Sequence, residues 1–93
     1  MQLSIEVRGI PLTVDDTIFD DFRVLRLFDA MTRKGDVSAC VEFGERVLGE
    51  EQMDNAMEQL ETDGVCRVSE IAPFFLEVVD AAASAKDACD PKN

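Results

Sequence analysis

The cysteines are the first residues of this chain to consider for chemistry, because the sequence contains no histidine. Cys40, Cys66 and Cys89 are widely spaced, and no base-rich or glycine-rich motif flanks any of them. Structural zinc sites need closely spaced cysteine or histidine ligands, which this spacing does not supply. Cys40 lies on a helical apolar stripe, where a cysteine packs as a small hydrophobic side chain. The sequence therefore predicts neither a catalytic cysteine nor a zinc site.

Paired acidic residues are the second group that could do chemistry. Asp15–Asp16 and Asp20–Asp21 could bind a hard cation, but they lack the alternating oxygen ligands and central glycine of a Ca²⁺ loop. Solvation and helix capping explain them better. Glu50–Glu51 fits the positive end of a helix dipole, and the five glycines form no phosphate-binding motif. We expect no catalytic residue, no metal and no cofactor, and hence a protein that is not an enzyme.

Length and net charge limit the kinds of molecule that the protein can bind. The 93 residues, 46% of them hydrophobic, are enough for a single domain with one modest core. The net charge of −11, with nine basic residues, disfavours direct binding to nucleic acid or to an anionic membrane surface. The acidity fits either solubility or a complementary basic partner. The odd cysteine count and the absence of a signal-like N-terminus predict a cytoplasmic protein.

Hydrophobic periodicity predicts an α+β fold, mainly helical, with a small N-terminal hairpin. Apolar residues alternate over residues 3–7 and again over 10–14, with a turn at Arg8–Gly9, which is typical of two half-buried strands. Four amphipathic helices follow and pack as a small bundle. Their predicted inner faces are Val24, Leu27, Phe28 and Met31; Val37, Cys40, Val41, Gly44, Val47 and Leu48; Met53, Ala56, Met57 and Leu60; and Ile71, Phe74, Phe75, Val78, Val79 and Ala82.

Glycines and acids mark where these helices end and restart. Gly35 follows the first helix, Gly49 separates the second from the third, and Asp63–Gly64 ends the third. The last apolar stripe stops near Ala82. We therefore expect one domain over residues 1–82 and a frayed tail over 83–93.

Surface residues are the remaining candidates for function. The first helix has an apolar arc wide enough to contact more than one neighbour, and four of the nine basic residues lie on it or just after it. In so acidic a chain this basic face could pair with another copy or with the chain's own acids. Methionines 31, 53 and 57 could line an adaptable groove or belong to the core. The candidate partner-binding residues are Phe22, Leu25, Arg26, Arg33, Phe43 and Leu76.

The order of these features resembles a known family. A short hairpin leads through acidic residues into Asp21–Leu25, a helix ends in the Leu-Gly-Glu-Glu-Gln segment Leu48–Gln52, and Asp63–Gly64 precedes Val68 and an aromatic-rich helix. Over residues 3–80 the chain resembles the small tail assembly chaperones of long-tailed (siphovirus-type) bacteriophages and prophages of Gram-positive bacteria.

The resemblance implies a non-enzymatic assembly factor in the bacterial cytoplasm. Such proteins bind the tape measure protein, keep its long apolar helices soluble, help tail-tube subunits assemble around it and are absent from the mature virion. It also implies self-association and, in many members, a longer frameshifted form. The alternative is an acidic regulator of another class, either a DNA-mimicking anti-restriction factor or an antitoxin, acting on a basic protein.

Overall fold

The computed structural model describes residues 1–89, with side chains described as far as Asp87, and confirms a hairpin followed by four helices. A short 3-10 helix, Ile18–Asp20, connects the hairpin to the first helix. The strands and helices are β1 (Gln2–Val7), β2 (Ile10–Asp15), α1 (Phe22–Arg33), α2 (Val37–Val47), α3 (Gly49–Leu60) and α4 (Val68–Cys89).

The hairpin pairs β1 with β2 in an antiparallel register that brings Val7 opposite Ile10. Arg8 and Gly9 both have positive φ, 54° and 79°, as a type I′ two-residue turn requires. Pro11 lies opposite Glu6, at a position whose backbone groups point away from β1, so its missing N–H removes no ladder bond. The inward side chains of both strands are buried, and the prediction of two half-buried strands is confirmed.

Aspartates start the first two long helices. The carboxylate of Asp21 accepts a hydrogen bond from the Arg23 amide at 2.9 Å. The carboxylate of Asp36 accepts from the amides of Ser38 and Ala39 at 3.0 and 3.3 Å. Side-chain acceptors of this kind satisfy N–H groups that have no partner within the helix. Gly35, with φ of 66°, separates α1 from Asp36 and lets the chain turn sharply between them.

The predicted break between α2 and α3 occurs at Leu48 and Gly49. Gly49 has φ of 84°, which breaks the helix and redirects the chain, and it is also the first residue of α3. Glu50 and Glu51 then occupy the first turn of α3, where carboxylates favour the positive end of the helix dipole. The break allows α2 and α3 to diverge, which leaves a space between them.

The last helix begins after a second tight turn and is longer than expected. Thr62 and Val65 exchange two backbone hydrogen bonds around Asp63 and Gly64, both of which have positive φ. From Val68, α4 continues to Cys89, beyond the point near residue 83 where we expected a frayed tail. For residues 83–89 that expectation is corrected: Ala85 packs against the core, which supports the added turns. Residues 90–93 lie outside the described residues.

One apolar core joins the hairpin to the helices. β1 packs on α4, α2 packs on α1, α3 and α4, and β2 touches α3. Phenylalanine rings link the helices: Phe43 of α2 lies 5.1 Å from Phe75 of α4 and 5.8 Å from Phe28 of α1, between ring centroids. These tilted contacts are a favourable aromatic geometry. Within the described residues, no buried side chain is polar or charged.

Candidate functional site

An open groove lies between α2, α3 and the beginning of α4, with a volume of about 250 Å³. Phe75 and Ile71 contribute to it from α4, and Met53 from α3. Four large apolar side chains along the groove stay between 38% and 58% exposed. These exposed lining residues are Val37, Val41, Met57 and Val68. Apolar side chains grouped around a concavity are typical of a binding site, unlike apolar residues scattered over a surface.

A close approach of three helices shapes one part of this groove. Gly44 of α2 has no side chain, and a Cβ atom placed there would lie 2.7 Å from Met53 Sδ and 2.8 Å from Phe75 Cζ. Both of these neighbours line the groove. The glycine therefore allows α2 to pack directly against them and holds the groove walls together at this point.

Carboxylates surround the apolar lining. Glu45, Glu50 and Asp54 line the groove together with the apolar residues, and none of its lining residues is basic. Residues 47–66 contain six acidic residues and no lysine or arginine. An apolar floor with an acidic rim favours an apolar ligand that carries positive charge at its edges.

The two cysteines with described side chains both line this groove. Burial raises the pKa of the Cys40 thiol, with a smaller contribution from the charge of Asp36. Burial also raises the pKa of Cys66, helped by Glu61 and Glu70. A raised pKa disfavours the reactive thiolate. Cys40 is 7% exposed, so its predicted packing role is confirmed, while the side chain of Cys89 lies outside the described residues.

The outer surface of α1 carries four of the predicted partner-binding residues. Phe22 is 70% exposed and Leu25 is 46% exposed, and Arg26 and Arg33 are exposed near them on the same helical face. We call Phe22, Leu25, Arg26 and Arg33 the α1 outer face. Leu76 is exposed on α4 and belongs to neither this face nor the groove.

Phe43 was wrongly predicted as a partner contact, because its side chain is fully buried. The reason is that α2 packs against both α1 and α4, so the flank that carries Phe43 is covered. The buried face of α2 is therefore shifted toward α1 relative to the predicted stripe. Val37 and Val41, which we expected inside, are left exposed along the groove.

The three methionines that could line a groove lie in two different environments. Met31 is 3% exposed and belongs to the core. Met53 is half-buried and Met57 is 38% exposed, and both line the groove. Methionine side chains adapt readily to differently shaped apolar partners, so their position here suits a surface that accommodates more than one sequence.

Basic side chains are concentrated around a second, polar cleft of about 570 Å³ between α1 and α2. Two of them are neutralised by carboxylates nearby: Arg23 pairs with Asp21 and Arg46 pairs with Glu42, each at 2.9 Å. Arg33, which does not line the cleft, pairs with Asp29 at 2.8 Å. Arg26 has no ion-pair partner among residues 1–89. Intramolecular pairing thus accounts for Arg33 and leaves Arg26 available.

The paired acids near the hairpin have local structural roles. Asp15 accepts hydrogen bonds from the amide and hydroxyl of Thr17, which lower its pKa. Asp16 lies 3.0 Å from the amino group of Met1. Within residues 1–89, no group of three cysteine, aspartate or glutamate side chains is placed to hold a metal ion. No helix in the same range is long and apolar enough to cross a bilayer.

The chain matches no known protein-family model, no curated protein and no solved structure. The case for function therefore depends on the chemistry of the groove and of the α1 outer face, together with the ordered sequence features described above.

Proposed function

We propose that the protein is a tail assembly chaperone that binds an apolar helical segment of a tape measure protein in the groove between α2, α3 and α4. The main support for this proposal is a group of exposed apolar side chains around one concavity with an acidic rim. These side chains are Val37, Val41, Met57 and Val68. An amphipathic helix can place its apolar side chains into such a groove. The protein acts by binding alone and catalyses no reaction.

The charge of the chain supports the same role. A protein that shields apolar helices must expose apolar surface and still remain dissolved. The net charge of −11 supplies repulsion between copies and favours solubility. Glu45, Glu50 and Asp54 add selectivity for client segments with lysine or arginine beside the apolar stripe. The site is thereby suited to basic amphipathic helices and repels acidic ones.

Co-expression tests this role directly. The chaperone role predicts a long tape measure reading frame beside this gene, and its product is expressed alone, with the wild-type chain, or with the Val41→Asp variant. We expect the wild-type chain to increase the soluble fraction of the tape measure protein and Val41→Asp to lose that effect. Ala83→Asp is the matched control, because it adds the same charge at an exposed apolar residue of α4 that lies outside the groove. No gain in solubility with the wild-type chain would refute the chaperone role.

A synthetic peptide separates groove binding from general solubilisation. The probe is a leucine-rich amphipathic helix flanked by lysines, and its matched control has glutamates in place of the lysines. We expect the lysine peptide to bind the wild-type protein and the Ala83→Asp variant, and to bind Val41→Asp at least about tenfold more weakly. Equal binding of the two peptides would show that the acidic rim does not select the client.

The alternative function, an acidic regulator that mimics DNA charge, is favoured by one observation. The segment of residues 47–66 contains six carboxylates and no basic residue, as a surface that imitates a phosphate backbone would require. Binding of that kind would weaken steeply with added salt, whereas apolar binding in the groove changes little. Isothermal titration against a restriction endonuclease at two salt concentrations distinguishes the two functions.

A further inference from the structure

The chain carries two exposed surfaces of opposite character. The α1 outer face presents Phe22 and Leu25 beside Arg26, which has no ion-pair partner among residues 1–89. The groove presents apolar side chains beside carboxylates such as Glu50 and Asp54. The groove is acidic, whereas the charge that the α1 outer face offers to a partner comes from Arg26, because Arg33 is paired with Asp29 at 2.8 Å.

A single chain cannot bring these two surfaces together. The inner face of α1 packs against α2 through Val24 and Met31, both buried, and through the contact of Phe28 with Phe43. That packing directs the α1 outer face away from the groove, and Phe22 remains 70% exposed. The groove residues Val41 and Val68 are also more than half exposed. Both surfaces are therefore left for another molecule.

We propose that the α1 outer face of one copy docks into the groove of a second copy. Phe22 and Leu25 enter the apolar part of the groove, and the guanidinium of Arg26 faces Glu50 and Asp54 on its rim. The overall charge of −11 opposes association of copies, and this local pairing of opposite charges offsets the repulsion at the contact. A second copy supplies the basic amphipathic helix that the groove favours.

The contact joins two different surfaces, and this determines the kind of assembly that the copies can form. The two surfaces are different. A copy that has docked its α1 outer face still has an empty groove, and a copy whose groove is filled still has a free α1 outer face. Such a heterologous contact produces open chains or closed rings and does not stop at a dimer. Two apolar side chains per contact provide much less area than the roughly 1,200 Å² of a stable interface. Association is therefore weak and appears at high protein concentration.

Sedimentation velocity with two blocked variants tests this arrangement. Phe22→Asp blocks the helix face and Val41→Asp blocks the groove, and both residues are exposed, so folding is expected to persist in each variant. We expect the wild-type protein to grow beyond a dimer with concentration and each variant to remain monomeric. An equimolar mixture of the two should form a dimer and nothing larger, because it contains one intact helix face and one intact groove.

The charge pairing has its own test. Arg26→Glu should weaken association, and adding Asp54→Arg in the same chain should restore it at least in part. Ala83→Asp is the control, because Ala83 is an exposed residue of α4 outside both surfaces, and it should associate as the wild type does. Circular dichroism establishes that every variant is folded. A wild-type protein that stays monomeric at all concentrations, a mixture of blocked variants that stays monomeric, or an equal loss with Ala83→Asp would each overturn the proposal.

The client peptide separates this inference from the proposed function, which uses the same groove. Phe22→Asp leaves the groove intact and should bind the lysine-flanked peptide fully, and the peptide should dissociate wild-type assemblies. If copies associate in the expected pattern while no peptide binds, the client role fails and the contact between copies stands. If the peptide binds and the mixed variants form no dimer, the contact between copies fails and the client role stands.

Discussion

Gln52 of α3 links this helix to strand β2 of the hairpin through side-chain hydrogen bonds. Its Oε1 accepts a hydrogen bond from the Thr13 amide at 2.7 Å, and its Nε2 donates to the Thr13 carbonyl at 2.8 Å. These two backbone groups point away from β1, and Gln52 satisfies both of them. The same Nε2 also donates to the carbonyl of Leu48 at 2.7 Å. Only a side chain with one acceptor and two N–H donors at this distance can make all three bonds.

The Gln52→Glu variant is expected to be less stable than the wild type by about 1–3 kcal/mol at neutral pH. An ionised carboxylate accepts from Thr13 but cannot donate, so its second oxygen faces two carbonyl oxygens. Below about pH 4 the protonated carboxyl can donate again, and the difference from the wild type should shrink. Urea denaturation at both pH values measures the change. Gln59→Glu, exposed on the same helix, is the control; the same loss in Gln59→Glu would show that added charge alone is responsible.

Arg8 provides a second link, between the hairpin turn and α4. Its Nη2 lies 2.7 Å from Glu77 Oε2, and this hydrogen bond lowers the pKa of Glu77 below its ordinary value of 4.5. A carboxyl with a lowered folded-state pKa contributes stability above its ordinary pKa, and that contribution disappears as the pH falls through the lowered value. Glu77→Gln should thus be less stable than the wild type at neutral pH, and the difference should disappear in acid as the pH falls below 4.5 and through the lowered pKa of Glu77.

Urea midpoints at neutral and acidic pH measure this pH dependence. Glu58→Gln, an exposed residue on α3, is the matched control and should show no such difference at neutral pH. The pair is solvent-exposed, so the difference at neutral pH is small. A Glu77→Gln deficit that persists unchanged in acid would mean that the glutamate contributes through its packing and not through its charge.

At the scale of the elements, Gly44 shows how closely the helices pack. Gly44→Ala would ordinarily stabilise a helix by about 1 kcal/mol through propensity. Here the added methyl group meets Met53 and the buried ring of Phe75 at less than 3.0 Å. Met53 can move, whereas Phe75 is fully buried and cannot. We expect a net loss of about 1–3 kcal/mol in the free energy of unfolding, measured by urea denaturation.

Asn55→Ala is the control for this substitution, because Asn55 is exposed on α3 and its replacement changes helix propensity without a clash. It should stabilise the protein slightly. A Gly44→Ala protein that gains stability to the same extent would show that α2 can move away from Phe75 at little cost. It would also predict a wider groove and weaker binding of the lysine-flanked peptide.

The elements are largely predictable from local signals, whereas of the groove the sequence indicates only the methionines Met53 and Met57. Alternating apolar residues and the Arg8–Gly9 turn indicate the hairpin, and Asp36 and Gly49 mark helix boundaries, because capping and backbone conformation are decided within a few residues. Which side of α2 faces a neighbour depends on three helices at once. Val41 and Phe43 are both apolar positions of α2, and only the tertiary packing leaves Val41 exposed and covers Phe43.

The extension of α4 escaped prediction for a related reason. Residues 83–89 show no apolar stripe, yet alanines and a lysine favour a helix, and Ala85 packs against the core. A tail was inferred from the absence of large apolar side chains, although small ones are sufficient where helices approach closely. The wide apolar arc on α1 predicts contacts on more than one side of the helix. Phe22 and Leu25, which widen that arc, are exposed, and their role as partner contacts stays a prediction.

At the scale of the whole molecule, charge and compactness oppose each other. The chain concentrates a net charge of −11 within a radius of gyration of 13.2 Å. Unfolding separates these charges, so their repulsion favours the unfolded state. At about 0.01 M salt the screening length is about 30 Å, which exceeds the radius of gyration, and at about 0.15 M it is about 8 Å, which is shorter than the radius of gyration. Added salt should therefore stabilise the folded protein.

Added salt also weakens the attraction within ion pairs, which lowers the stability of the folded protein. This loss is too small to cancel the gain from reduced repulsion. Those within the described residues are solvent-exposed, and exposed pairs contribute little to stability. We expect the urea midpoint to rise between about 0.01 and 0.15 M NaCl. The rise should be smaller in a variant with Glu51→Gln, Glu58→Gln and Glu61→Gln, which removes repulsion outside the groove. Dilute protein keeps association between copies out of the measurement. A midpoint that falls with salt would show that specific ion pairs outweigh the net charge.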